Sequence, residues 1–193
     1  MEKLIRIKSN NLRPRQGRVL VADPLSDEFY FGRSVVLLVD HNEDGAFGIV
    51  MNKPTGSFLS QFTQDFEGFD VPVFIGGPVK NDNLFYIHNL GPEIPHSTEI
   101  FPGLYWGGQL EVLMDMMKFG LVRKDQIRFF LGYSGWSPKQ LEDELQRNAW
   151  VVSESNYRLL MKTKANKMWD NHLQRLGPKY DLWRGFPVNP ELN

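Results

Sequence analysis

The 193-residue sequence contains no cysteine. That absence excludes a disulfide scaffold, a zinc ribbon and a thiol nucleophile together, and it fits a reducing compartment. Long apolar runs are missing too. The longest uninterrupted aliphatic stretch, Val35 to Val39, falls far short of the roughly 20 residues a membrane span requires. The opening Met1-Glu2-Lys3-Leu4-Ile5-Arg6-Ile7-Lys8 lacks the apolar core of a secretory signal, so a cytoplasmic protein with no membrane segment is expected. Histidine is scarce. His41, His88, His96 and His172 are the whole set, and none stands in an i, i+4 pair or another ligand spacing. No metal and no cofactor is therefore expected. There is no internal repeat and no low-complexity tract.

What is present describes a globular protein. An apolar fraction of 41% with 13% aromatics is enough to bury a core, and the length suits a single domain over 1–193. The formal charge of −1 is unevenly placed. Residues 1–18 carry a net +5 and residues 162–193 a net +3, which leaves −9 on the body between them. Residues 1–15 read as a basic arm and residues 178–193 as a C-terminal tail. Basic ends on an acidic body suit either nucleic-acid contacts or ends that lie back on the body or on a partner subunit. Direct nucleic-acid binding is not favoured, because no recognised docking motif accompanies the charge.

Periodicity places the elements. Gly17 to Ala22 and Val35 to Asp40 read as strands, the second apolar on both faces and so central in its sheet. His41-Asn42-Glu43-Asp44-Gly45 reads as a five-residue hairpin loop returning through Ala46 to Asn52. Gly48 inside that return strand predicts a close backbone approach. Further strands are expected at Pro72 to Ile75, Leu84 to His88, Glu99 to Trp106, Gln126 to Leu131 and Trp150 to Val152. A short helix is expected near 57–63, and another through Leu110, Leu113, Met114 and Met117 with Gly120 as its stop. Ser137, Pro138 and Gln140 predict a capping box opening a helix over 138–147. With its flanking strands, that helix reads as a βαβ unit. A last helix over 165–176 aligns Met168, Trp169, His172 and Leu173 on one stripe. The pattern is an α/β fold.

Several motifs invite a chemical reading. Gly132-Tyr133-Ser134-Gly135-Trp136 lies between a strand and a helix, where a nucleophile elbow would sit, but that elbow needs glycine where Trp136 stands. Asp170 and His172 would have to complete its triad, and they are neighbours on one helix. Gly76-Gly77 offers a nest of N–H groups, yet no helix follows it to complete a phosphate site. Asn52-Lys53-Pro54 puts an amide and a cation at a strand end, a place where α/β sheets bind ligands, although asparagine also serves turns. His88 reads as a structural histidine and His41 as an exposed loop residue.

These motifs together are similar to those of the AlgH/YqgE family of bacterial proteins. The resemblance rests on Gly17 to Ala22, on Asp27-Glu28-Phe29 through Arg33-Ser34-Val35, on His41 through Lys53-Pro54, on Gly76-Gly77-Pro78-Val79, and on Gly132 through Trp136 to Gln140-Leu141-Glu142. It implies a single compact α/β domain with a mixed, partly barrel-like sheet flanked by helices. It also implies an uncharacterised function, with members often labelled transcriptional regulators. No helix-turn-helix is visible here. Many members carry a cysteine in the strand before the His-Asn-Glu loop. This chain has Leu37-Leu38-Val39-Asp40 there and so lacks a thiol for redox sensing. The stretch from Trp183 to Asn193 is unlike the family.

Two functional readings follow. One is a non-catalytic regulatory or binding protein, acting through a protein partner or a small ligand. The other is an enzyme or small-ligand binder whose cleft joins His41, Asn52, Lys53, Tyr133 and Trp136. The sequence leaves the oligomeric state open.

Overall fold

A computed structural model describes residues 10–24, 26, 30–63, 66 and 68–186 of the chain. Among these residues ten strands form one sheet network. They are β1 (Val19–Ala22), β2 (Val35–Asn42), β3 (Gly45–Val50), β4 (Pro54–Phe58), β5 (Pro72–Ile75), β6 (Val79–His88), β7 (Thr98–Phe101), β8 (Leu104–Trp106), β9 (Ile127–Trp136) and β10 (Trp150–Ser153). The main path runs β10-β1-β2-β3-β9-β6-β8-β7, and β4 and β5 branch from it. The path has two ends, so the sheet is not closed into a barrel. Helices α1 (Leu110–Lys118), α2 (Gln140–Gln146), α3 (Ala165–Leu176) and α4 (Asp181–Arg184) flank it, giving a mixed α/β fold.

Strand β9 organises the sheet. Its first half pairs parallel with β5, Val73 opposite Phe129 and Ile75 opposite Leu131. Its second half pairs antiparallel with β3, Gly48 opposite Ser134 and Ala46 opposite Trp136. Both partners use the same edge, while β6 lines the other. The exchange happens at Gly132, which has φ +70°. Before it, Ile127 and Phe129 face one core and Phe130 the opposite one. Beyond it, Tyr133 packs with the cluster that holds Phe130, so the strand's parity has slipped by one residue, as at a bulge. Gly76 closes against this point. Its N–H donates to the Leu131 carbonyl at 2.8 Å, and its own carbonyl accepts from Val50 N–H at 2.8 Å.

The faces are filled accordingly. One face carries a continuous core under α3 and α4, with Val35, Leu37, Ile49, Phe130, Met168, Trp169 and Trp183. The opposite face holds two cores. Val36, Leu38, Trp136 and Trp150 pack beneath Leu141 of α2, and Val73, Tyr86 and Phe129 pack against Leu113 and Met117 of α1. The both-face apolar pattern of β2 is explained by its place between β1 and β3 with a core on each side. The expected stripe on α3 is the buried one: Met168, Trp169, His172 and Leu173.

Several local expectations are revised. The hairpin loop is only Glu43-Asp44, because β2 continues to Asn42, which pairs with Gly45. The close approach at Gly48 comes from the neighbouring strand itself: a β-carbon there would lie 2.5 Å from the Leu37 carbonyl oxygen. The helix near 57–63 is a short 3-10 turn, Leu59–Gln61, after an unanticipated strand β4. The edge strand over 99–106 is the hairpin β7–β8. Helix α2 starts at Gln140 because Lys139 is left-handed, φ +66°. Gln140 Oε1 still accepts from the Ser137 N–H at 3.0 Å, so that link caps a turn ahead of the helix. Strands β9 and β10 have the same direction, but β3, β2 and β1 lie between them.

The termini are drawn inward as far as they are described. Asn10 Nδ2 donates to the Val152 carbonyl at 2.7 Å, and Leu12 packs on the α2-side core. In the expected tail, Pro178–Tyr180 and α4 bury Tyr180 and Trp183 in the main core. The rest of both basic ends, residues 1–9 and 187–193, lies outside the described residues, as do Asp27, Glu28 and Phe29.

The crossing at Gly76 sets a measurable sensitivity. A β-carbon at position 76 would stand 2.2 Å from the Gly132 carbonyl oxygen, whereas a β-carbon at the turn residue Gly103 would meet open space. In urea unfolding, Gly76→Ala is expected to cost more than about 3 kcal/mol. Gly103→Ala, which meets only the left-handed backbone penalty, should cost about 1–2 kcal/mol.

Candidate functional site

The five residues proposed for a cleft separate into three places. His41, at the end of β2, sits 3.0 Å from Glu142 Oε1 of α2 through its Nε2. Trp136, at the end of β9, is buried and donates its indole N–H to Glu144 Oε2 at 2.8 Å. Both therefore tie the same end of the sheet to α2. Tyr133 belongs to a half-buried group of rings with Phe47, Phe85 and Trp106, at centroid distances of 5.1–5.8 Å. Asn52 and Lys53 lie at the opposite end of the β2–β3 hairpin. Asn52 Oδ1 accepts from Val35 N–H at 2.8 Å, and its Nδ2 donates to the Arg33 carbonyl at 3.0 Å. Asn52 thus stitches a turn. Lys53 donates to the Gly32 carbonyl, and burial followed by the nearby Arg33 cation lowers its pKa. The structure joins His41 to Trp136 and Asn52 to Lys53, but builds no common cleft from all five.

The serine motif is likewise occupied. Ser134 is buried, and its Oγ donates to the Gly76 carbonyl at 3.2 Å. His172 is bound to other groups: Nδ1 meets the Met168 carbonyl at 2.8 Å and Nε2 meets Ser155 Oγ at 3.0 Å. Asp170 pairs with Arg184. Ser134, Asp170 and His172 do not assemble a triad. Among the described residues no three His, Asp or Glu side chains converge as a metal site would need, and no helix is long and apolar enough to cross a membrane.

A different place has the character of a site. Beside β5 and the start of β9 lies a pocket of about 120 Å³. Val71, Phe74, Ile127 and Met161 supply its apolar wall, and Lys124, Asp125 and Arg128 its polar groups. Arg128 is the unusual member. Its guanidinium lies 4.7 Å over the Phe74 ring and donates to the carbonyls of Met51 at 3.2 Å and Met161 at 3.4 Å. The Met161 carbonyl is presented by a single π-helical turn, Arg158–Lys162, an irregularity often found at functional places. Burial lowers the Arg128 pKa to about 10, against a smaller raising effect of Tyr157. Asp125 is drawn away by Lys162 and by Arg123, whose Nε is 3.2 Å distant. The signal for this residue was a lone charge inside the apolar strand Ile127-Arg128-Phe129-Phe130-Leu131.

Residues 19–181 match the AlgH-like family. The chain belongs to that family. A UPF0301 protein of Bacteroides fragilis is 41% identical over 191 residues, covering 98% of this chain and 97% of that protein. A UPF0301 protein of Bacteroides thetaiotaomicron is 39% identical with the same coverage. The solution structure of the AlgH protein from Pseudomonas aeruginosa superposes with a TM-score of 0.73 at 26% identity, covering 94% of this chain and 98% of that one. The crystal structure of a Corynebacterium diphtheriae protein, DIP2367, shares the fold with a TM-score of 0.76 at 21% identity, covering 93% and 95%. Gly76-Gly77 and Gly132 to Trp136, two of the segments that carried the resemblance, meet at one backbone crossing.

Two measurements follow. Glu144 Oε2 accepts both indole N–H groups, from Trp136 at 2.8 Å and from Trp150 at 2.7 Å. Glu144→Ala leaves both without that partner and should cost about 2–4 kcal/mol in chemical denaturation. Tryptophan emission should shift to the red. Glu142→Ala, which removes only the surface pair with His41, should cost less than about 1 kcal/mol.

His88 and His172 are buried, and burial is the main cause lowering both pKa values. Neutral His88 can donate from Nε2 to the Gly107 carbonyl and accept Leu90 N–H at Nδ1; a second ring proton would remove the acceptor. Between the unfolded value near 6.5 and the lower folded value, the unfolded chain binds more protons. Stability contributed by these groups is therefore complete above about pH 6.5 and declines as pH falls through that window, by at most about 1.4 kcal/mol per pH unit for each histidine. Urea unfolding across this range should show that slope, and His172→Gln should reduce it, leaving the share of His88.

Proposed function

We propose that this AlgH-like chain is a non-catalytic cytoplasmic regulatory or binding protein that acts through a protein partner or a small ligand rather than by direct DNA contact. The observation that carries this reading is that four described cations of its basic ends, Arg15, Arg18, Lys162 and Arg184, are paired with carboxylates of the same chain. Arg18 Nη2 lies 2.6 Å and Arg15 Nη2 3.6 Å from the same Glu154 oxygen. Lys162 pairs with Asp125, and Arg184 pairs with Asp170 and Asp181. Cations folded onto the acidic body in this way are poor phosphate ligands, since each contact would first have to break an ion pair. The burial of Ser134 supports the non-catalytic part.

Transcript profiling of a deletion strain tests both parts. A regulatory role expects altered transcript levels in the deletion and full restoration by the Ser134→Ala variant. A folded Ser134→Ala protein that restores nothing would favour serine chemistry instead. Purified protein should give no mobility shift with DNA at low salt. A shift that weakens steeply with added salt would establish direct phosphate contacts.

The pocket at Arg128 favours the small-ligand form of this reading, because it places a cation beside apolar walls. Pockets that select small molecules combine those features.

A further inference from the structure

We infer that the pocket between β5 and the start of β9 binds a short organic carboxylate, with Arg128 receiving the anion and the apolar wall receiving the chain. This rests on the small-ligand reading above and specifies its ligand class.

The first support is the incomplete use of Arg128. A guanidinium carries five N–H donors. Here two contacts are made, both long and both to neutral carbonyls, at 3.2 and 3.4 Å. No carboxylate pairs with Arg128 among the described residues. A charge partly withdrawn from water without an opposite partner is disfavoured, and a carboxylate offers it two oxygens in matching geometry.

The second support is the arrangement of neighbouring charges. Asp125 lines the pocket but is held by Lys162 and Arg123, and their hydrogen bonds and charges keep its own pKa below the usual carboxylate range. Lys124 is exposed at the rim and makes no ion pair among the described residues. An entering anion therefore meets two cations and a carboxylate that is already ion-paired.

Size and polarity narrow the class. A pocket of about 120 Å³ admits a small ligand and no large one. That suits an anion of butyrate size. Val71, Phe74, Ile127 and Met161 offer apolar contact to a short chain and no hydrogen bond from their side chains. Inorganic phosphate would leave several oxygens against that wall.

The test is a titration of the full-length protein with butyrate, followed by two-dimensional amide NMR. Butyramide and inorganic phosphate serve as parallel probes. Saturable shifts are expected at residues 125–128 and 161, with a dissociation constant in the millimolar range. Butyramide, which keeps the shape and loses the charge, should bind at least about tenfold more weakly, the ratio set by one charge-assisted hydrogen bond. Phosphate should also bind more weakly than butyrate. Arg128→Gln should abolish the response. If that variant fails to fold, Lys124→Ala, which alters only an exposed side chain, should weaken butyrate binding several-fold.

Absence of saturation, equal response to butyramide, phosphate binding as tight as butyrate, or undiminished affinity in the folded variants would each overturn the assignment. Transcript restoration by Ser134→Ala is independent of these outcomes. Failure of the carboxylate site is thereby distinguishable from failure of the regulatory reading.

Discussion

The contact between the Gly76 backbone and the Gly132 carbonyl governs the rest of the sheet. At that point β9 exchanges β5 for β3 along one edge while keeping β6 along the other. Two partners can follow one another on a single edge only if the first strand leaves as the second arrives. The Gly76 N–H completes the ladder with Leu131, and the Gly76 carbonyl starts the next by accepting from Val50. The slip in parity at Gly132 then sends side chains from the two halves of one strand to different cores. Arg128 faces the pocket, Tyr133 enters the ring group, and Trp136 reaches α2.

The same constraint explains why the conspicuous polar motifs are structural. Ser134 lies beside the crossing, so its hydroxyl finds the Gly76 carbonyl. At the far end, one Glu144 carboxylate holds two indoles from β9 and β10 against α2. Asn52 fastens the opposite end of the hairpin to the chain before β2. Each of these groups would be costly if buried without a partner. Their positions at strand ends, which resemble ligand-binding positions in one dimension, follow from closing a forked sheet at both ends.

Elements set by local periodicity were legible in the sequence. The aliphatic run of β2 betrayed a core on both faces, and the stripe on α3 named its four buried residues. Elements set by partners were not. Pro54-Thr55-Gly56-Ser57-Phe58 has little strand character and becomes β4 by pairing with β5. The extra length of β9 crosses Gly132 and Gly135, which read locally as a turn. The βαβ expectation captured the shared direction of β9 and β10, yet three strands inserted from earlier in the chain separate them. For the candidate site, motif residues attracted attention because they are polar at element ends. Arg128 carried the subtler sign, one cation in an apolar strand, and its meaning depended on Met161 and Phe74 arriving from distant segments.

That cation does more than a structural link requires. Donating to the carbonyls of Met51 and Met161 joins the end of β3 to the π-helical turn, and a neutral amide has two N–H groups of its own for such a task. A guanidinium adds three further donors and a full charge. Burial disfavours that charge, as the depressed pKa of Arg128 records, and stacking over Phe74 offsets only part of the loss. The nearby carboxylate that would ordinarily balance it, Asp125, is instead held by two other cations. The positive charge is thus left facing a small, largely apolar pocket, where an anion with an apolar body supplies both the missing countercharge and the contact to the wall.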